Sequence, residues 1–123
     1  MLSRTYTAVA LGGGIGSVLR YLISSIIPTV NGFPYGTIAV NLTGCFLLSY
    51  LSQLFSKHWK IDMITQKAIM TGLIGSFTTF SAFTTELVQL MEDDVMIGSF
   101  YILVTFIGGL GMTFMGAKVG GSK

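Results

Sequence analysis

From Val95 to Ala117 the chain runs for 23 residues without one charged side chain. About 20 apolar residues in helical form cross the hydrocarbon layer of a bilayer, and three other stretches have the same character. Tyr6 to Ile27 is apolar apart from hydroxyls and Arg20, and it ends at Pro28 with Asn31, Gly32 and Pro34 as turn residues. Gly36 to Ser56 closes on Lys57, His58, Trp59 and Lys60, the charged and aromatic mixture of a headgroup boundary. Gln66 to Leu90 stops at Met91, Glu92, Asp93 and Asp94. Four spans take about 80 residues of the 123, which leaves short connections and tails. The expected organisation is all-α: residues 1-123 form a single domain of four transmembrane helices with no extramembrane domain.

Other classes are excluded by what the chain lacks. Charged residues make up 10%, where a soluble domain carries roughly a quarter, so a water-soluble enzyme is not expected. The formal charge of +2 comes from seven basic and five acidic residues, too few and too scattered for a nucleic-acid footprint. Cys45 is the one cysteine and His58 the one histidine, so neither an internal disulfide nor a Cys/His metal cluster can form. The run from Gly12 to Ser17 imitates a dinucleotide loop, but that motif needs an acidic residue about 20 positions later, and the first acid is Asp62. The amino terminus imitates a signal peptide, although cleavage there would release only further hydrophobic spans.

The third span is the unusual one. Ser76 to Thr85 lies near its middle, and six of those ten residues carry hydroxyls. Gly72 and Gly75 precede it, so a helix weakened by glycine enters a stretch of β-branched threonine. An interruption is expected there. Non-helical backbone at that depth survives only where protein buries it or a watery cavity runs beside it. The alternative is a continuous helix whose hydroxyls bond back to their own carbonyls.

Several polar residues lie where they could act on a permeating solute. Gly12 with Gly16, and Gly116 with Gly120, have the spacing that lets helix backbones touch. Arg20 is either a snorkelling anchor beside Tyr21 or a fixed positive charge at the mouth of an anion path. Asn41 and Thr37 project from one face of the second helix, as donors to something small or as glue between helices. Phe80 and Phe83 alternate with Thr79, Ser81 and Thr84. Ring edges are electropositive, so two edges flanked by hydroxyls can line a path for a small anion. Glu86, near the end of the third span, is the sole carboxylate available for proton coupling and is read as a solvated interfacial side chain. Passive conduction fits better than pumping.

In combination these residues resemble the Fluc-type (CrcB) fluoride channels. The first helix has its glycine cluster followed by Arg20 and Tyr21. The second has Gly36, Thr37, Val40, Asn41, Gly44 and Phe46, and the third has Gly72, Gly75, Thr78, Thr79, Phe80, Ser81 and Phe83. The resemblance implies an antiparallel, dual-topology dimer with two fluoride pores, a third helix broken near its middle, and a central structural sodium ion held by the backbone carbonyls of Gly75 and Thr78. It makes Phe80 and Phe83 the aromatic pair of the pore and Asn41 the polar partner of fluoride. Thr37, Thr79 and Ser81 belong to the polar lining, with Arg20 at the vestibule. Ala82, Ser49 and Gly109 depart from the pattern, where threonine, glycine and a pore-side serine respectively are expected.

Charge supplies orientation independently. With four spans, Arg4, Lys57, Lys60, Lys67, Lys118 and Lys123 share one side, and Arg20 alone is on the other. The positive-inside rule predicts cytoplasmic termini in a cell membrane. So asymmetric a chain implies a mate of opposite orientation, a paralogous subunit in a heterodimer, with a homodimer as the alternative. The function implied is passive, selective export of fluoride. A small multidrug transporter would need a carboxylate inside the first helix, which this chain lacks, and a non-conducting assembly subunit is the remaining alternative.

Overall fold

The computed structural model describes residues 2–122, and among them the regular elements are all helices. In chain order these are α1 (Leu2–Ile26), α2 (Tyr35–Lys57), α3 (Met63–Lys67), a π-helical stretch (Ala68–Ile74), α4 (Gly75–Phe77), α5 (Phe80–Asp93) and α6 (Val95–Ser122). Three of them, α1, α2 and α6, are long and apolar enough to cross a membrane. The fourth body of helix is assembled from α3, the π-helical stretch, α4 and α5.

Each boundary has a local cause. Between α1 and α2, Val30 and Phe33 pair across a tight turn in which Asn31 has φ 53° and Gly32 has φ 81°. Asn-Gly is the dipeptide that enters this left-handed region most readily. Asp62 caps α3, where its carboxylate accepts the Thr65 N–H at 3.2 Å and the Thr65 hydroxyl at 2.6 Å. These bonds hold the Asp62 carboxyl below its ordinary pKa, the Thr65 hydroxyl contributing most and the Thr65 backbone N–H next. Asp94 separates α5 from α6 and accepts the Met96 N–H at 2.9 Å.

Glycine decides how the helices meet. A Cβ at Gly12 would run into the carbonyl of Ala68, and one at Gly16 into the carbonyl of Leu73. The backbone of α1 therefore lies directly on the π-helical stretch, the close approach that four-residue glycine spacing allows. Gly116 and Gly120 of α6 meet the carbonyls of Phe46 and Tyr50 on α2 in the same way. The two pairs of bodies are joined by an apolar core of Phe83, Leu90 and Tyr101, with Phe33, Ile38, Leu87 and Ile102 packed around it. Much large apolar surface remains outside, including Ile26, Met96 and Phe114. That distribution suits lipid or a partner subunit better than water.

Candidate functional site

Helix α4 stops at Phe77. Thr78 (φ −80°, ψ 158°) and Thr79 (φ −145°, ψ 121°) are extended, and α5 starts at Phe80. Two extended residues leave backbone groups that a helix would have paired, and specific side chains take them. The Thr79 N–H donates to Asn41 Oδ1 at 2.8 Å, while Asn41 Nδ2 donates to the Thr79 carbonyl at 3.0 Å. The Thr79 hydroxyl accepts the Ala82 N–H at 3.1 Å and caps α5. The Thr78 N–H still reaches the Ile74 carbonyl at 3.1 Å. Gly75 loses its helical partner, the Thr79 N–H, to Asn41, and its carbonyl receives only the Thr78 hydroxyl at 3.4 Å.

A groove of about 300 Å³ opens beside these residues. Asn41, Gly75, Thr78, Thr79, Phe80 and Phe83 all line it, so it gathers six of the positions expected to matter. The Phe80 and Phe83 ring centroids are 6.0 Å apart at 36°. Phe83 is buried and leans on Tyr101 and Phe106 at 5.1 and 5.9 Å, whereas Phe80 is 74% exposed. One ring is thus fixed by the core and the other projects from the surface.

Three expected residues lie elsewhere. Ser81 is exposed, with its hydroxyl 3.3 Å from that of Thr79. Arg20 is on α1, and its Nε donates to the Ser76 carbonyl at 3.1 Å. Thr37 is buried and donates to Glu86 Oε2 at 3.1 Å, and Tyr101 donates to Glu86 Oε1 at 3.3 Å. Glu86 is therefore not a solvated interfacial carboxylate. It is half-buried, and each carboxylate oxygen accepts a bond from another helix.

Besides the apolar Leu48, Met70, Ile74 and Phe106, one polar residue of the groove escaped the sequence reading. Thr105 of α6 lines it, and its buried hydroxyl has no hydrogen-bond partner. Gly109, where a serine was expected, is one turn later and faces Cys45 of α2. No local signal separates the two, since Tyr101, Thr105 and Gly109 recur every four residues on one face of α6. Ser49 bonds to the carbonyls of its own helix at Cys45 and Phe46, beside Gly116, and serves the crossing of α2 and α6.

Comparison with known proteins places the chain in a family. Residues 7–117 match the family described as CrcB-like protein, Camphor Resistance (CrcB). A protein of Staphylococcus saprophyticus named fluoride-specific ion channel FluC 2 is 41% identical over 120 residues, covering 94% of this chain and 95% of its own. Its namesake in Staphylococcus haemolyticus is 38% identical over 117 residues, covering 94% and 96%. The fluoride-specific ion channel FluC of Chlorobium phaeobacteroides is 34% identical over 113 residues, covering 90% and 88%. With helices apolar enough to cross a bilayer more than once and a family match over nearly its whole length, the chain belongs to the CrcB-like family of multi-pass membrane proteins.

Proposed function

We propose that this protein is a passive, selective fluoride channel and that the groove at Thr78–Thr79 forms part of its conduction path. The carrying observation is the meeting, in one place, of two phenyl rings, a primary amide, an unpartnered hydroxyl and the start of a helix. Each supplies partial positive charge. Ring edges are electropositive, Asn41 keeps one Nδ2 hydrogen beyond the one given to Thr79, and Thr105, one of the lining residues, has a buried hydroxyl with no protein partner. The positive end of the α5 dipole lies at the same point. No lysine, arginine or histidine is among the residues lining the groove. Such a site replaces the hydration shell of a small anion without binding it as a full counter-charge would, which permits departure as well as entry. The membrane potential, negative inside, then drives fluoride outward.

The finer architecture belongs to the same proposal. α3, the π-helical stretch, α4 and α5 make the third span, interrupted at Thr78–Thr79, as depth in a membrane allows where a cavity runs alongside. The exposure of Phe80 and the open groove beside it support a second subunit, antiparallel to the first, that completes each pore. The excess of Lys and Arg on one side supports cytoplasmic termini in the cell membrane and a paralogous mate of opposite orientation. The donor set at the interruption suits a structural sodium ion. The Gly75 carbonyl has only a long hydroxyl contact, and the Ala82 N–H that would approach the Thr78 carbonyl goes to the Thr79 hydroxyl instead. Neutral oxygens of this kind are ligands for a hard cation, and a bound cation would hold the two half-helices in register.

The test is reconstitution of the protein, with its oppositely oriented mate if one is required, into liposomes loaded with fluoride or with chloride. The proposal expects electrogenic fluoride efflux with chloride efflux at background. Equal rates for both halides, or neither above empty liposomes, would reject it.

A further inference from the structure

We infer that Arg20 is a positioning residue that caps the first half of the interrupted helix and so holds the conducting geometry, rather than a charge that steers anions. The inference rests on the channel function proposed above. Gly12, Gly16 and Arg20 occupy one face of α1 at successive four-residue steps. Gly12 lies on the Ala68 carbonyl, and a Cβ at Gly16 would meet Leu73 and, at 3.1 Å, the backbone nitrogen of Phe77. One turn further on, α4 ends, and Arg20 Nε occupies that end by donating to the Ser76 carbonyl at 3.1 Å. Ser76 lies in the last turn of a helical body running from Met63 to Phe77, where carbonyls have no intrahelical donor and the helix dipole is negative. A guanidinium in or near the membrane normally finds a carboxylate or backbone carbonyls, and here the partner is a carbonyl. The bond is charge-assisted and therefore among the stronger ones available.

The arrangement gives the interruption a clamp on each side. Asn41 of α2 holds Thr79 just beyond it, and Arg20 of α1 holds Ser76 just before it. Between them lie Phe77 and Thr78, whose backbone sets where the Gly75 and Thr78 carbonyls and the Phe80 ring point. A steering charge acts at long range and is screened by salt, with a Debye length of about 3 Å at 1 M ionic strength. A cap acts through one short bond and is not.

The experiment compares wild type, Arg20→Gln and Arg20→Lys in liposomes at low ionic strength and at 1 M background salt of an impermeant anion. Hydrogen–deuterium exchange of peptides covering residues 76–82 and α6 is measured in parallel. The expected result for Arg20→Gln is a fluoride flux about tenfold lower or less at both salt concentrations, with exchange over residues 76–82 about tenfold faster and that of α6 unchanged. Arg20→Lys, which keeps the charge, stays within about threefold of wild type in both measurements. Recovery of the Arg20→Gln flux at high salt, or unchanged exchange over residues 76–82, would overturn the inference. A wild type that fails to conduct would instead overturn the channel function, and the exchange comparison would still decide the role of Arg20.

Discussion

Asn41 pairs with the backbone of Thr79 as a neighbouring strand would, accepting its N–H at 2.8 Å and donating to its carbonyl at 3.0 Å. A primary amide has the same donor and acceptor as a peptide group, so it can stand in for the missing helical partners of one extended residue. That makes an interruption possible between α4 and α5 without leaving both polar groups of Thr79 unpaired. Asn41 is on α2 and Thr79 on the extended link between α4 and α5, 38 positions apart.

Replacing Asn41 tests this pairing. Asn41→Ala removes two hydrogen bonds, each worth about 1 kcal/mol, and is expected to lower both stability and fluoride flux. Asn41→Asp keeps the acceptor for the Thr79 N–H but sets an oxygen against the Thr79 carbonyl and a negative charge beside the groove. Its flux is expected to fall at least as far as that of Asn41→Ala. Liposome efflux and hydrogen exchange over residues 76–82 report the two effects, and an Asn41→Asp variant with wild-type flux would contradict the pairing.

Glycine contacts predict a contrast within α1. Gly16→Ala drives a methyl group into the Leu73 carbonyl, an overpacking that costs about 1–3 kcal/mol. Gly14→Ala meets nothing within 4 Å and is expected to be neutral or mildly stabilising, because alanine favours helix. Unfolding of the solubilised protein by sodium dodecyl sulfate should need clearly less detergent for the first variant and no less for the second.

Glu86 gives a third prediction. Its two oxygens accept from Thr37 and Tyr101, so Glu86→Ala leaves both hydroxyls without that partner, at about 1–3 kcal/mol for each buried group so orphaned. Glu86→Gln retains an acceptor and the side-chain shape, and should be much closer to wild type in stability. Equal stability of the two variants in the same detergent unfolding assay would show that the hydroxyls do not depend on Glu86.

Asp62 lies outside the spans and gives a pH dependence. Its carboxyl is held below the ordinary value by hydrogen bonds from Thr65, so the folded state favours the charged form. The capping contribution is fully present above the ordinary carboxylate pKa and is lost as the pH falls through the lowered, folded value. The Thr65 amide resonance should titrate with a midpoint below the usual carboxylate range, and Thr65→Val should move the Asp62 midpoint upward. An unchanged midpoint in Thr65→Val would contradict this origin.

Much of the architecture is written in local composition. The spans expected from Tyr6, Gly36 and Val95 correspond to α1, α2 and α6, because about twenty residues with at most one charge among them have few alternatives. The close-packing role of Gly12, Gly16, Gly116 and Gly120 was legible for the same reason, since spacing by four defines one face of a helix. What composition could not supply were pairings between distant segments. Arg20 with Ser76 is separated by 56 positions and Thr37 with Glu86 by 49, and nothing local distinguishes those partners from their neighbours. Glu86 was misread on these grounds. It lies near the end of the expected span Gln66 to Leu90, where solvent is the default partner, and only the fold brings Thr37 and Tyr101 to it, at the middle of α5. The π-helical stretch over Ala68–Ile74 likewise has no signature in its residues, and its wider turn becomes evident only where α1 packs against it.

The most direct test replaces the rings and leaves the rest in place. Phe80→Ile and Phe83→Ile keep apolar bulk but remove the electropositive edges, whose interactions are worth about 0.5–1.5 kcal/mol each. Fluoride efflux from liposomes should fall about two- to tenfold in each variant, with chloride efflux still at background and the assembly intact by size-exclusion chromatography. Wild-type fluoride efflux from an intact assembly of either variant would contradict the account.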